Sequence, residues 1–241
     1  MLFRSKYYSQ SNQGRFAAYN NARQYFDGEL MLTVDSDNIL LPGATRSIRN
    51  IWEQLNPELY SGIIAYMQEE DSEQIEGTEF PKGIAAERIY TLYDRYHLAG
   101  DKFLAFRTDL IKQTAYPFFP GEKFGGDSIV FNAMNEIAPM YLLRQCICKK
   151  GMPEVSITSD LRYHHLTSPN GMREHYRDTL AHEHYNKWHM FKHAIGYIGY
   201  ARMTAWSHKE IQLHSPKKWL TEILFSVGQL YYRIILARRA D

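Results

Sequence analysis

The chain has 241 residues, enough for one domain with an extension or for two small ones, and its 44% hydrophobic and 23% charged residues are ordinary globular usage. With 28 Lys and Arg against 27 Asp and Glu, the formal net charge is +1, which speaks against a nucleic-acid binder over the whole chain. The two cysteines, Cys146 and Cys148, exclude a disulfide framework and are too few for a Cys-based zinc site. On a strand their spacing puts both on one face, so two buried, inert thiols and a reducing compartment are expected. No apolar run of signal-peptide length opens the chain, and no stretch reaches about 18 apolar residues. The expectation is a cytoplasmic protein, with the inner membrane surface as a peripheral place of work.

The elements alternate. Ala17 to Phe26 reads as a short helix, stopped by Gly28. Leu30 to Val34 is a brief apolar run, which suits a buried parallel strand, and it leads directly into Asp35-Ser36-Asp37-Asn38. Pro42-Gly43 opens a helix to about Gln54, with Ile48, Ile51, Trp52 and Leu55 on one face. Tyr60 to Met67 is a second strand, and the six acids between Glu69 and Glu79 predict an exposed loop. Lys102 to Arg107 is a third strand, with Thr108-Asp109 capping a short helix after it. A loop from Gly121 to Gly126, a helix from Ser128 to Ile137 and a strand from Tyr141 to Cys148 follow; from Ser168 the pattern is helical. Strands alternating with helices predict an α/β layered domain over 1–165, and 166–241 reads as a helical C-terminal extension.

Two carboxylates two residues apart at a strand end can share a hard divalent cation such as Mg²⁺ or Mn²⁺. By itself such a pair reads more readily as a turn. It stands, however, in an ordered series: Gln10-Ser11-Asn12-Gln13-Gly14-Arg15, Ala18-Tyr19-Asn20, Gly28-Glu29, the acid motif, then Leu41-Pro42. The series resembles that of the family 2 glycosyltransferases with a GT-A fold, which move a sugar from a nucleotide-sugar to an acceptor. Gly100-Asp101-Lys102, Arg107-Thr108-Asp109, Pro120-Gly121-Glu122-Lys123-Phe124, Ser168-Pro169-Asn170-Gly171 and Ser215-Pro216-Lys217-Lys218 resemble a bacterial capsular-polysaccharide branch of it. The resemblance implies a GT-A-like, partly Rossmann-like mixed sheet flanked by helices. It implies an inverting, metal-dependent transfer to a saccharide or lipid-linked acceptor in surface-polysaccharide synthesis. Asp37 would be the main metal ligand, Asp35 would touch the metal or the donor ribose, and Asn12, Gly14, Arg15 and Asn20 would shape the donor site. The strand, turn and first helix that hold the nucleotide base in that family have no counterpart in residues 1–9. The chain therefore reads as an N-terminally shortened member, and the alternative is a weakly active or inactive module for binding or assembly. Asn38 stands where the family usually has Asp.

An inverting transfer needs a carboxylate to take the acceptor proton. The resemblance points to Asp127, just before a helix and after two glycines that would admit a ligand; a plain helix cap is the competing reading. Glu122 is the next candidate. Asp101 and Lys102 read as a strand-edge ion pair before they read as substrate contacts. His189 and His193 have zinc-clamp spacing near His182-Glu183-His184, but without H-E-x-x-H they read as surface histidines. From Lys187 onward nine Lys or Arg face three Asp or Glu, against 19 and 24 in the rest. Trp219, Leu220, Ile223, Leu224, Val227, Leu230, Tyr231, Ile234 and Ile235 recur at helical spacing within 216–239. This basic amphipathic segment suits an anionic membrane, the catalytic domain or a second copy of the chain in a homo-oligomer.

Overall fold

A computed structural model describes residues 6–69, 72–151, 161–182 and 185–239. The strands are β1 (Leu30–Leu32), β2 (Ile39–Leu40), β3 (Gly62–Gln68), β4 (Ala86–Glu87), β5 (Lys102–Arg107) and β6 (Met140–Lys149). They form one mixed sheet in the order β1-β5-β3-β6-β2, with β4 also on β6. β3 and β6 run parallel, and the other pairs are antiparallel.

Side-chain alternation buries both faces of the sheet. Met31, Ile64, Tyr66, Phe106 and Leu142 point to one face, against helices α1 (Arg15–Ala22), α3 (Ile89–Asp94), α4 (Thr108–Gln113) and α5 (Ser128–Ile137). Ile63, Ala65, Met67, Phe103 and Ala105 point to the other, against Ala44, Ile48 and Trp52 of α2 (Ala44–Trp52). The predicted stripe of α2 is this contact.

Several expectations change. β1 is an edge strand antiparallel to β5, not a buried parallel one, and of its three residues Met31 alone is buried. The register between β3 and β6 shifts twice, at Ala65/Tyr66 and at Tyr66/Met67. The extra β6 residues rotate the strand, so Cys146 packs on the α5 side while Cys148 and Ile147 both pack on the α2 side. The two thiols are free, lie on opposite faces, and burial raises the pKa of each. In the acidic loop Glu76 is half-buried and pairs with Lys150 at 3.1 Å. Thr108 does not cap α4; its hydroxyl is buried without a partner, and Asp109 instead takes two hydrogen bonds from Arg107 (3.0 and 2.5 Å). That pairing holds the Asp109 carboxyl below its usual range. Asp101 and Lys102 do not pair with each other. The Lys102 ammonium donates to the carbonyls of Glu76 and Ala99, both at 2.8 Å, while Asp101 meets Lys150 at 2.7 Å.

The remaining helices are α6 (Leu161–Thr167), α7 (Pro169–Ala181), α8 (Lys187–Met203), α9 (His208–His214), α10 (Lys218–Ile223) and α11 (Phe225–Arg239). Leu180, Ala194, Tyr197, Ile198, Ile211, Leu220 and Leu224 give them their own core. Gly228 lets α11 lie directly on Ile198 of α8, where a Cβ would overlap that side chain. Gly228→Ala should separate the two helices and cost about 1–3 kcal/mol as overpacking, measured by denaturant unfolding.

Candidate active site

The site is assembled by a loop between the sheet layer and the C-terminal helices. The Glu122 carboxylate accepts from the backbone N–H groups of Asn170 (3.0 Å) and Gly171 (2.8 Å) and from the Asn170 side chain (2.6 Å). It thereby satisfies the open amides at the start of α7 and complements the helix dipole. The Phe124 N–H donates to the buried Ser168 hydroxyl at 3.1 Å, and Gly171 leaves room for the Phe124 carbonyl. These contacts account for the Gly-Glu-Lys-Phe and Ser-Pro-Asn-Gly motifs together, and they leave Glu122 committed to α7 rather than free as a base.

The same loop delivers Asp127. Its carboxylate makes no cap bond to α5, so the helix-cap reading does not hold; it accepts from the guanidinium of Arg15, the first residue of α1. Gly14, with φ +90°, precedes Arg15 and lies against the Lys123 backbone, a conformation and a closeness that favour glycine. Asn12 shapes this entry by accepting from the Gly14 N–H at 3.1 Å. Burial alone would lower the Arg15 pKa, but attraction to Asp127 and, further off, to Tyr116 and Asp35 raises it, so the guanidinium stays charged. Phe16 stacks on Tyr116 behind it at 4.1 Å, and burial pushes the Tyr116 pKa upward.

Arg15 therefore sits within electrostatic reach of both acidic sites. Asp35 and Asp37 are exposed on a turn closed by the Asn38 N–H donating to the Asp35 carbonyl at 3.0 Å. Asn38 fixes that turn to the end of β6 by accepting from the Gly151 N–H at 3.1 Å, and Gly151 lies against the Asp37 carbonyl. Both carboxylates act on the pKa of Cys148 below them. Asn20 has another role: its side-chain amide exchanges two hydrogen bonds with the Tyr116 backbone (2.9 and 3.0 Å), tying α1 to the segment before the loop. The glycines before Asp127 do not admit a ligand at Gly126, whose α-carbon abuts the His175 ring. A cavity of about 480 Å³, lined by Glu29, Trp52, Arg107 and Lys112 among others, lies at the opposite end of β1 from the acid turn.

Sequence reasoning missed Tyr116, Ser128 and His175. The Ser128 hydroxyl lies 3.0 Å from His175 Nδ1, directly behind Asp127. No motif marks these residues; Ser128 and His175 meet because α5 packs on α7, and Tyr116 is held by Phe16 and Asn20 of α1. Nor are His189 and His193 surface residues. They are half-buried and stack at 4.4 Å, with His175 5.4 Å from His193. Among the described residues no group of three or more His, Cys, Asp or Glu converges as metal ligands, and Glu183 and His184 lie outside them. Burial pushes the His175 pKa down to about 4 and that of His193 to about 3, the latter helped by the neighbouring His175, His189 and Lys192. His182 goes the other way, its pKa raised by hydrogen bonding to Asp178 against the effect of burial.

No family model and no curated protein matches the chain. Solved structures do. S. aureus TarS, residues 1–349, in complex with UDP-GlcNAc, superposes with a TM-score of 0.52 at 17% identity over 83% of this chain. The chain shares its fold with a glycosyltransferase. It spans 56% of the TarS chain, and at this identity the likeness concerns the fold, in agreement with the expected GT-A-like sheet flanked by helices.

The histidine pKa values set a pH dependence. The unfolded chain takes up protons on these histidines near pH 6.5, and the folded chain refuses them until about pH 4 or below. Stability should fall as pH drops from about 6.5 toward 4; His182, whose pKa is raised, completes its gain in stability above about pH 6.5 as pH falls, and leaves the slope below that to His175 and His193. His193→Gln should flatten the slope in thermal melts recorded across that range; a slope equal to the parent's would remove His193 from the account.

Proposed function

We propose that the chain is a glycosyltransferase that takes a nucleotide-sugar donor and passes the sugar, with inversion, to a saccharide or lipid-linked acceptor in surface-polysaccharide assembly at the cytoplasmic side of the membrane. The observation that carries this is the meeting of Arg15 and Asp127, with Asp35 nearby, on a fold shared with a protein that binds UDP-GlcNAc.

Each residue has a role in this reading. Asp35 and Asp37, exposed two residues apart on a fixed turn, are the residues that would hold a hard cation such as Mg²⁺ or Mn²⁺, which takes carboxylate oxygens. Such an ion, when bound, neutralises the leaving diphosphate. Asp37 would be the principal ligand, and Asp35 would reach the ion or the ribose. Asn12 and Gly14 hold the loop at the donor site, and Asn20 supports it from behind. Arg15 is charged and half-exposed, which fits it to a diphosphate oxygen as well as to Asp127. Once the donor takes the guanidinium, the Asp127 carboxylate is free to accept the acceptor hydroxyl proton.

The pairing of Arg15 with Asp127 also suits a second reading, a module that binds a nucleotide-sugar without transferring it. One experiment separates the two: calorimetry with UDP-sugars in the presence of Mn²⁺, paired with an assay of sugar transfer. Asp37→Ala should abolish Mn²⁺-dependent donor binding, and unchanged binding would remove it as the ligand. Asp127→Asn should keep donor binding and lower transfer by roughly 10²–10⁴-fold. Binding without transfer in the parent chain would favour the module, and absence of both would end the donor reading.

A further inference from the structure

The apolar stripe near the C-terminus divides in two. Leu220, Leu224, Gly228, Tyr231 and Ile235 face inward, and Leu220, Leu224, Gly228 and Ile235 are buried among α7, α8 and α9. A second row, one residue earlier throughout, faces solvent: Trp219 (66% exposed), Ile223 (71%), Val227, Leu230 (58%) and Ile234. Its spacing of four, four, three and four residues follows one helical face from α10 into α11. Five large apolar side chains in one exposed row exceed the scattered surface hydrophobics of an ordinary surface.

We infer that this outer face of α10 and α11 docks onto an anionic lipid surface. The charge pattern selects the occupant. The exposed Lys218 stands at one end of the row, and the exposed Arg233 lies toward the other. Between them is one acid, Glu222, which His208 engages at 2.9 Å. A second copy laid along the row, parallel or antiparallel, would bring cations against cations. An anionic headgroup layer meets both ends at once, while the apolar row enters the boundary beneath it. The helix therefore packs on the protein with one face and offers the other, so it need not leave the core to reach a membrane. This inference rests on the C-terminal helices alone and stands apart from the assignment of the donor site.

The test uses the whole chain. It should co-sediment with vesicles containing phosphatidylglycerol and stay in the supernatant with phosphatidylcholine alone, the bound fraction falling as salt rises. Ile223→Ser with Leu230→Ser, and separately Lys218→Glu with Arg233→Glu, should each weaken binding by about tenfold or more, with circular dichroism and melting matching the parent. If the serine pair unfolds, the charge-reversed pair, which alters two exposed side chains, decides. Equal sedimentation of the charge-reversed chain would overturn the inference. So would a parent chain that ignores the anionic vesicles, including one that forms a dimer in sedimentation equilibrium which the serine pair abolishes.

Discussion

The arrangement depends on the Glu122 carboxylate at the head of α7. A helix start leaves backbone N–H groups open, and a buried start needs partners for them. Here a loop from the sheet layer supplies the partner, so the same bonds that begin the C-terminal helices also fix residues 122–127. With Phe124 held by Ser168 and Gly126 pressed on His175, the loop backbone is fixed where the half-exposed Asp127 carboxylate meets Arg15. Capping, loop placement and the meeting of two charged groups are one piece of packing.

The sheet provides the second constraint. Its central strands β3 and β5 are buried on both faces, which fixes their register through the alternation of side chains. The double shift in β6 is the local exception: it moves Cys148 and Ile147 to one face and carries the strand to Gly151, which steadies the acid turn through Asn38. Arg15 is held by Asp127, which keeps its guanidinium charged against burial, and Asp35 adds a smaller attraction.

The sequence by itself determined what local rules govern. The α2 face, β5 and α5 follow from apolar periodicity and glycine punctuation, and the structure has them within a residue or two; the C-terminal part is helical as expected but already from Leu161 of α6, ahead of Ser168. The ordered motifs pointed to Asp35, Asp37, Arg15 and Asp127, and the fold agrees with the architecture that resemblance implied. What the tertiary structure decided is what depends on partners distant in the chain. Glu122 reads as a second acid until Asn170 and Gly171 engage it; Lys102 reads as half of an ion pair until four carbonyls surround its ammonium. His175 lies 47 residues from Ser128, and no pattern in one sequence joins them. The C-terminal stripe is the plainest case: spacing shows that it is apolar but not which half is covered, because adjacent rows on a helix look alike until α8 lies against one of them.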